Sequence, residues 1–292
     1  MSEVSFVTLP DRGILAVSGQ DRVAFLQGLI SNDVEKVSSD RAIYAAFLTP
    51  QGKYIFDFMV IGDGDRILLD CEAERIADLA KRLRIYKLRS KVEFNDVSDV
   101  YAIHAVHGVA SSSKFSLPPE AGSARGLAGG VALVDPRLSS FGVRLILPRH
   151  VAPTGLGLVE GNWEAHDRLR ISLGIPDGSR DMLVDKTVLL EAGFDELNGV
   201  DWEKGCYMGQ ELTARTKYRG LVKRRLMPVL VDGPMPAPGT PVMAGAREAG
   251  EIRSGAGDTA LAMIRLNMLK DGGPLAAGGV AVRPIKPNWA AF

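Results

Sequence analysis

The 292-residue chain has two cysteines, Cys71 and Cys206, and four histidines. The cysteines lie far apart, so neither a disulfide framework nor the close spacing of a zinc or redox pair is present. His104 and His107 stand three apart in the strand-like run 101–106, where such a spacing points side chains to opposite faces, so they are not expected to share a metal. Net charge is missing too. Lys and Arg total 35 and Asp and Glu total 35, which argues against bulk attraction to nucleic acid or to a membrane surface. No run approaches the roughly 18 apolar residues that would cross a bilayer as a helix. Residues 1–10 show neither the basic-then-apolar order of a secretory signal nor the arginine-rich, acid-free character of a transit peptide, and this predicts a cytoplasmic protein without a membrane partner.

The composition is that of a globular protein, 46% hydrophobic and 24% charged, and the length suits two or three compact domains. Val23, Leu26, Leu29 and Ile30 recur at helical spacing, and Ser18 followed by Asp21 reads as an N-terminal cap, so a helix is predicted over 21–31. Residues 42–48, 54–61 and 67–71 read as strands separated by Pro50-Gln51-Gly52 and Gly62-Asp63-Gly64. A helix over 73–87 buries Ile76, Leu79, Ala80 and Leu83, and a strand over 92–97 follows. Residues 110–130, rich in serine, glycine and proline, read as an exposed connection. Strands are expected at 133–134 and 141–147, and a helix over 163–173 stops at Gly174 and Pro176. Beyond 221, short apolar runs (226–231, 259–266, 280–285) alternate with glycines and prolines, the pattern of a small β-barrel. The fold class predicted is α+β.

Chemistry concentrates in Lys204-Gly205-Cys206-Tyr207-Met208-Gly209-Gln210-Glu211. A free thiol has a pKa of about 8.5, and it is the thiolate that attacks and ligates. From 204 to 225 the only acid is Glu211, against Lys204, Arg215, Lys217, Arg219, Lys223, Arg224 and Arg225, so the local potential favours an ionised Cys206. A short helix is predicted from Gln210 to Tyr218, whose free N–H groups would act in the same direction. Gly205 and Gly209 are read as turn residues that present the thiol. The plain alternative is a small buried apolar cysteine, which is the reading given to Cys71 at the end of Ile67-Leu68-Leu69-Asp70.

The octet, with Thr213-Ala214-Arg215 and Tyr218-Arg219-Gly220, resembles the motif of the YgfZ-type folate-binding proteins. These are relatives of the T-protein aminomethyltransferase of the glycine cleavage system. Further similarity lies in Asp21 to Leu29 with Ser31-Asn32-Asp33, in Leu48-Thr49-Pro50-Gln51-Gly52-Lys53, in Tyr86 to Val92, and in Arg170 with Gly174-Ile175-Pro176. The resemblance spans most of 5–230. It implies T-protein-like mixed and antiparallel sheets with packed helices around a central cavity. It also implies a discontinuous first domain (1–40 with 108–220), a ferredoxin-like α+β domain (41–107) and a C-terminal β-barrel (221–292).

The same resemblance implies tetrahydrofolate as a cofactor and iron-sulfur client enzymes as partners. In it Cys206, Lys204 and Asp57 form the working group, and Asp57, Glu191, Gln210, Arg215 and Arg219 form a cofactor-binding set. Two departures are visible. Phe56-Asp57 falls where T-protein has two successive aspartates, so Asp57 alone supplies a carboxylate. Ser172 stands where relatives carry a glutamate toward the pterin, leaving Glu191 as the nearest alternative acid. Arg215 and Arg219, one helical turn apart, could meet an anion. The expected function is that of an accessory factor supporting iron-sulfur cluster assembly or repair and tRNA modification, with Cys206 as the key thiol. The rival expectation is a folate-dependent aminomethyl or methyl transferase acting through Asp57, and an RNA-contacting role for the basic segment ranks third.

Overall fold

The computed structural model describes residues 4–292. The chain folds as two compact units. One comprises the chain up to Leu48, Ile55–Trp163 and Asn198–Met208; the other comprises Thr49–Tyr54, Glu164–Leu197 and Gly209–Phe292.

The first unit holds two sheets. Six strands run in the order Val159–Glu160, Ser5–Thr8, Tyr101–His107, Val143–Pro148, Gly130–Val134 and Ala124–Leu127. Five run in the order Ile43–Leu48, Tyr54–Asp63, Arg66–Glu72, Arg12–Ser18 and Glu93–Asp96. Strand alternation explains how they pack. Val131, Leu133 and Ile146 of the larger sheet share a core with Ile14, Ala16, Met59, Ile61 and Leu68 of the smaller. The intervening Ala132, Val134, Leu145 and Leu147 point to a second core capped by Phe115, Leu117 and Leu158. Helix Ile76–Lys87 covers the smaller sheet with the four residues its periodicity predicts, packing on Arg12–Ser18 and Glu93–Asp96. Ile76, Leu79 and Leu83, taken out of water, contribute about 1.5–3 kcal/mol each. The partition drawn from the sequence crosses these sheets, since Arg12–Ser18 and Glu93–Asp96 are neighbouring strands.

Three local predictions are corrected. The first helix is short, Arg22–Gln27, and Ser18 belongs to a strand rather than a cap. Asp21 makes no cap bond either; its carboxylate accepts from the Lys91 N–H. The stretch 110–130 contains a helical turn, Ser111–Lys114, and the edge strand Ala124–Leu127, because Phe115, Leu117 and Ala124 have apolar surface to bury.

The second unit is built on a closed six-stranded barrel, strand order Arg224–Asp232, Thr259–Arg265, Arg247–Ala256, Pro241–Ala244, Leu275–Ala277, Val280–Pro284. Its core is aliphatic and closure leaves no free sheet edge. Helix Trp163–Ser172 is tied to the barrel by Arg170, which donates to Asp181 at 2.6 Å, Asp167 at 2.9 Å and Ser254 at 2.9 Å. Gly193 makes room for Trp289: a Cβ there would lie 2.6 Å from the indole. Among the described residues no helix is long and apolar enough to cross a membrane.

Candidate functional site

In the first unit the segment Asn198–Met208 is pinned to the end of helix Arg22–Gln27 and the residues after it. Ser31 Oγ donates to the Gly199 carbonyl at 2.6 Å, Asp201 N–H to the Ser31 carbonyl at 3.1 Å, and Met208 N–H to the Gly28 carbonyl at 3.1 Å. Lys204 is the principal fastener. Its ammonium donates to the carbonyls of Gln27 (2.9 Å), Ile30 (2.7 Å) and Asn32 (2.8 Å) and lies 5.2 Å from the Tyr207 ring centre. Burial pulls its pKa down to about 8 against the opposing pull of Asp33 and Asp201. The structure thus places the Lys204 charge on backbone oxygens, whereas the sequence suggests it for the thiol.

Cys206 is exposed and Cys71 is buried. Burial pushes the Cys71 thiol up, leaving it an inert strand residue. Gly205 is corrected as a turn requirement: it is absent from the left-handed region, and a Cβ on it would meet nothing within 4 Å. Gly209 does need its φ of +82°.

In the second unit, helix Gln210–Tyr218 begins four residues after the cysteine. Its start packs on the turn at Gly52, where an added Cβ would lie 2.6 Å from Leu212 Cβ and 2.7 Å from the Gly209 carbonyl oxygen. Arg215 and Arg219 are exposed at the helix end, and Gln210 is half-buried as its first residue. Glu191 accepts from Arg224 Nε at 2.9 Å. Ser172 is exposed, its hydroxyl turned back onto the Leu169 carbonyl at 2.8 Å.

Asp57 is 3% exposed and lies between the sheets of the first unit, where its carboxylate accepts from Tyr44 Oη at 2.8 Å. Burial and the Asp57 charge raise the Tyr44 pKa well above its ordinary value, so the phenol stays a donor. Arg137 lies 5.6 Å from the Tyr44 ring centre and donates to Asp135 at 2.8 Å. Arg144 and Arg12 together clamp Asp70, at 2.9 and 2.8 Å. The sequence reading missed this inter-sheet network. Its trace there is a set of single charges inside apolar strands, Asp70 after Ile67-Leu68-Leu69 and Arg144 before Leu145-Ile146-Leu147, since buried charge must be paired. A polar cavity of about 390 Å³ in the same unit is lined by Asn32, Lys36, Arg41, Tyr44, Asn198 and Asp201. Lys36 and Asp201 close an ion pair across part of it.

A pterin clamp needs a carboxylate for the paired N–H donors of the ring. Of the acids the resemblance offers, Asp57 accepts from Tyr44, and Glu191 accepts from Arg224 through one oxygen while its other, buried oxygen has no partner; Ser172 supplies no carboxylate. Among the described residues no group of three or more His, Cys, Asp or Glu could hold a metal ion.

Comparison with known proteins defines the class first. The chain is similar over 99% of its length to the glycine cleavage system aminomethyltransferase T of Bartonella henselae, with a TM-score of 0.80 over 86% of that chain; at 14% identity this establishes the fold. Residues 223–292 match the family described as the CAF17 C-terminal beta-barrel domain. The mouse iron-sulfur cluster assembly factor IBA57, mitochondrial, is 32% identical over 96% of this chain and 84% of its own. Its human counterpart is 33% identical with the same coverage. The chain therefore belongs to the IBA57 family of iron-sulfur cluster assembly factors. The cytoplasmic location predicted from residues 1–10 is overturned by these relatives, which are named as mitochondrial proteins.

Proposed function

We propose that this protein supports the assembly or repair of iron-sulfur clusters in client enzymes, with Cys206 as the residue that meets the cargo. The observation that carries this reading is an exposed thiol on a segment fixed by the buried Lys204. Clusters are usually held by four ligands. One cysteine supplies one, so the cluster or iron would be shared with a partner protein or small thiol that brings the others, and release would follow exchange of that single Fe–S bond. Clients would include cluster-dependent enzymes that modify tRNA, as in the YgfZ-type proteins that the motif resembles.

The test replaces Cys206 with alanine in cells lacking the wild-type gene and measures aconitase activity and tRNA methylthiolation. Loss to the level of the deletion is expected, and undiminished activity removes the cysteine from the mechanism. Folate enters this reading through the fold and the resemblance alone, and the single aspartate at 57 together with Ser172 weighs against aminomethyl transfer through Asp57. Calorimetric titration with tetrahydrofolate decides it: no heat at about millimolar ligand ends the folate reading, since such binding is worth no more than about 4 kcal/mol.

A further inference from the structure

The barrel unit carries a groove of about 1040 Å³ whose charge differs from that of the chain as a whole. Lys223, Arg224, Arg265, Lys270 and Lys286 line it, and the only acid among its described lining residues is Glu191. Glu191 is taken by Arg224, and Arg265 has Glu248 at 3.5 Å. Lys286 donates to the Phe292 carbonyl. Among the described residues Lys223 and Lys270 have no ion pair, and both are exposed. The floor is apolar: Leu266 and Leu269 stand three apart on helix Leu266–Asp271, beside Val222 and Phe292. In a chain with 35 residues of each charge, an apolar floor inside a ring of five cations is a local concentration of one sign.

The geometry points to this groove as a docking site for an acidic amphipathic segment of a partner protein, apolar side chains down on Leu266 and Leu269 and carboxylates out to Lys223 and Lys270. Charge complementarity selects the partner, because rim cations raise the encounter rate and reject basic surfaces, while an aliphatic floor accepts side chains at helical spacing. Single-stranded nucleic acid fits less well. It stacks on open aromatic faces, and the one ring among the described lining residues, Phe292, already has Arg225 at 5.0 Å and Lys286 at 5.2 Å from its centre.

The probe is a fluorescein-labelled Leu/Glu amphipathic peptide of about 18 residues, about 27 Å long as a helix, added to the full chain. Three controls accompany it: a scrambled peptide of the same composition, a Leu/Lys peptide and a single-stranded RNA of similar length. The Leu/Glu peptide should bind, and its binding should weaken markedly between about 0.05 and about 0.3 M salt as screening shortens. Lys223→Glu with Lys270→Glu should weaken it at least about tenfold, a loss of about 1.4 kcal/mol, and should turn the Leu/Lys peptide into a ligand. The milder Lys223→Gln with Lys270→Gln should fall between, and unchanged urea midpoints would show that both variants fold. The proposal is overturned if the double variants bind the Leu/Glu peptide as the wild type does, if the scrambled peptide binds equally well, or if RNA binds more tightly. Since Cys206 lies outside the groove, a Cys206→Ala protein should bind the peptide normally, which separates failure here from failure of the cluster reading.

Discussion

Replacing Lys204 with methionine keeps the length of the side chain and removes the charge that the Gln27, Ile30 and Asn32 carbonyls share. Leaving a buried acceptor without a donor costs about 1–3 kcal/mol. Part of the loss at these oxygens is recovered by relaxation, so Lys204→Met should lower stability by about 2–4 kcal/mol in urea unfolding. Two residues on, Cys206→Ala should leave stability within about 0.5 kcal/mol, because the side chain is exposed. The pair separates a structural residue from the thiol proposed to meet the cargo: Lys204→Met should lose folded protein, while Cys206→Ala should lose activity at full stability. The importance of Lys204 was legible in the sequence, but its role was not. A lysine two residues from a thiol reads as an electrostatic neighbour, and only the fold shows that its ammonium donates to the carbonyls of Gln27, Ile30 and Asn32 in another segment.

At the scale of elements, most strands and the barrel were legible because their apolar residues alternate or cluster between turn signals, as in Tyr54–Asp63 and Thr259–Arg265. The first helix was overextended because Leu29 and Ile30 keep helical spacing while being buried in irregular backbone, with Ile30 bridged to Phe47. The strands in 110–134 were partly hidden by glycines and serines whose neighbours carry the burial. Gly52 and Gly205 look equivalent in the sequence and are not so in three dimensions. Gly52 has a φ of +79° and no space for a Cβ against Leu212 and the Gly209 carbonyl; Gly205 has open space. Gly52→Ala should therefore cost about 2–4 kcal/mol from left-handed strain plus the clash, and Gly205→Ala no more than about 0.5 kcal/mol. Comparing the thermal midpoints of the two variants checks both values, and equal midpoints would refute the packing described for the Gly52 turn.

For the whole molecule, the buried bases set how stability follows pH. His104 is 4% exposed, lies edge-on to Phe6 and has Thr8 Oγ1 at 3.0 Å from Nδ1; burial lowers its pKa from 6.5 to about 4. Burial lowers His107 as well. Between pH 6.5 and about 4 the unfolded chain therefore binds protons that the folded chain refuses, so stability is full above 6.5 and falls as pH drops through this window. For His104 the loss approaches about 3 kcal/mol, each pKa unit being worth about 1.4 kcal/mol. Below that window Asp135, Asp167 and Asp201, whose pKa values their basic partners lower, give up stability in turn as they are protonated. On the alkaline side the buried groups oppose one another. Lys204, with its pKa at about 8, adds stability as pH rises toward 10.5, while Cys71, held protonated by burial, removes it once the unfolded thiol ionises. The acid limb is thus the clean readout. Urea unfolding of wild type and His104→Phe at pH 7 and pH 5 should show the wild type losing more stability than the variant, by at least about 1 kcal/mol; equal losses would mean that His104 accepts its proton in the folded protein as readily as in the unfolded chain.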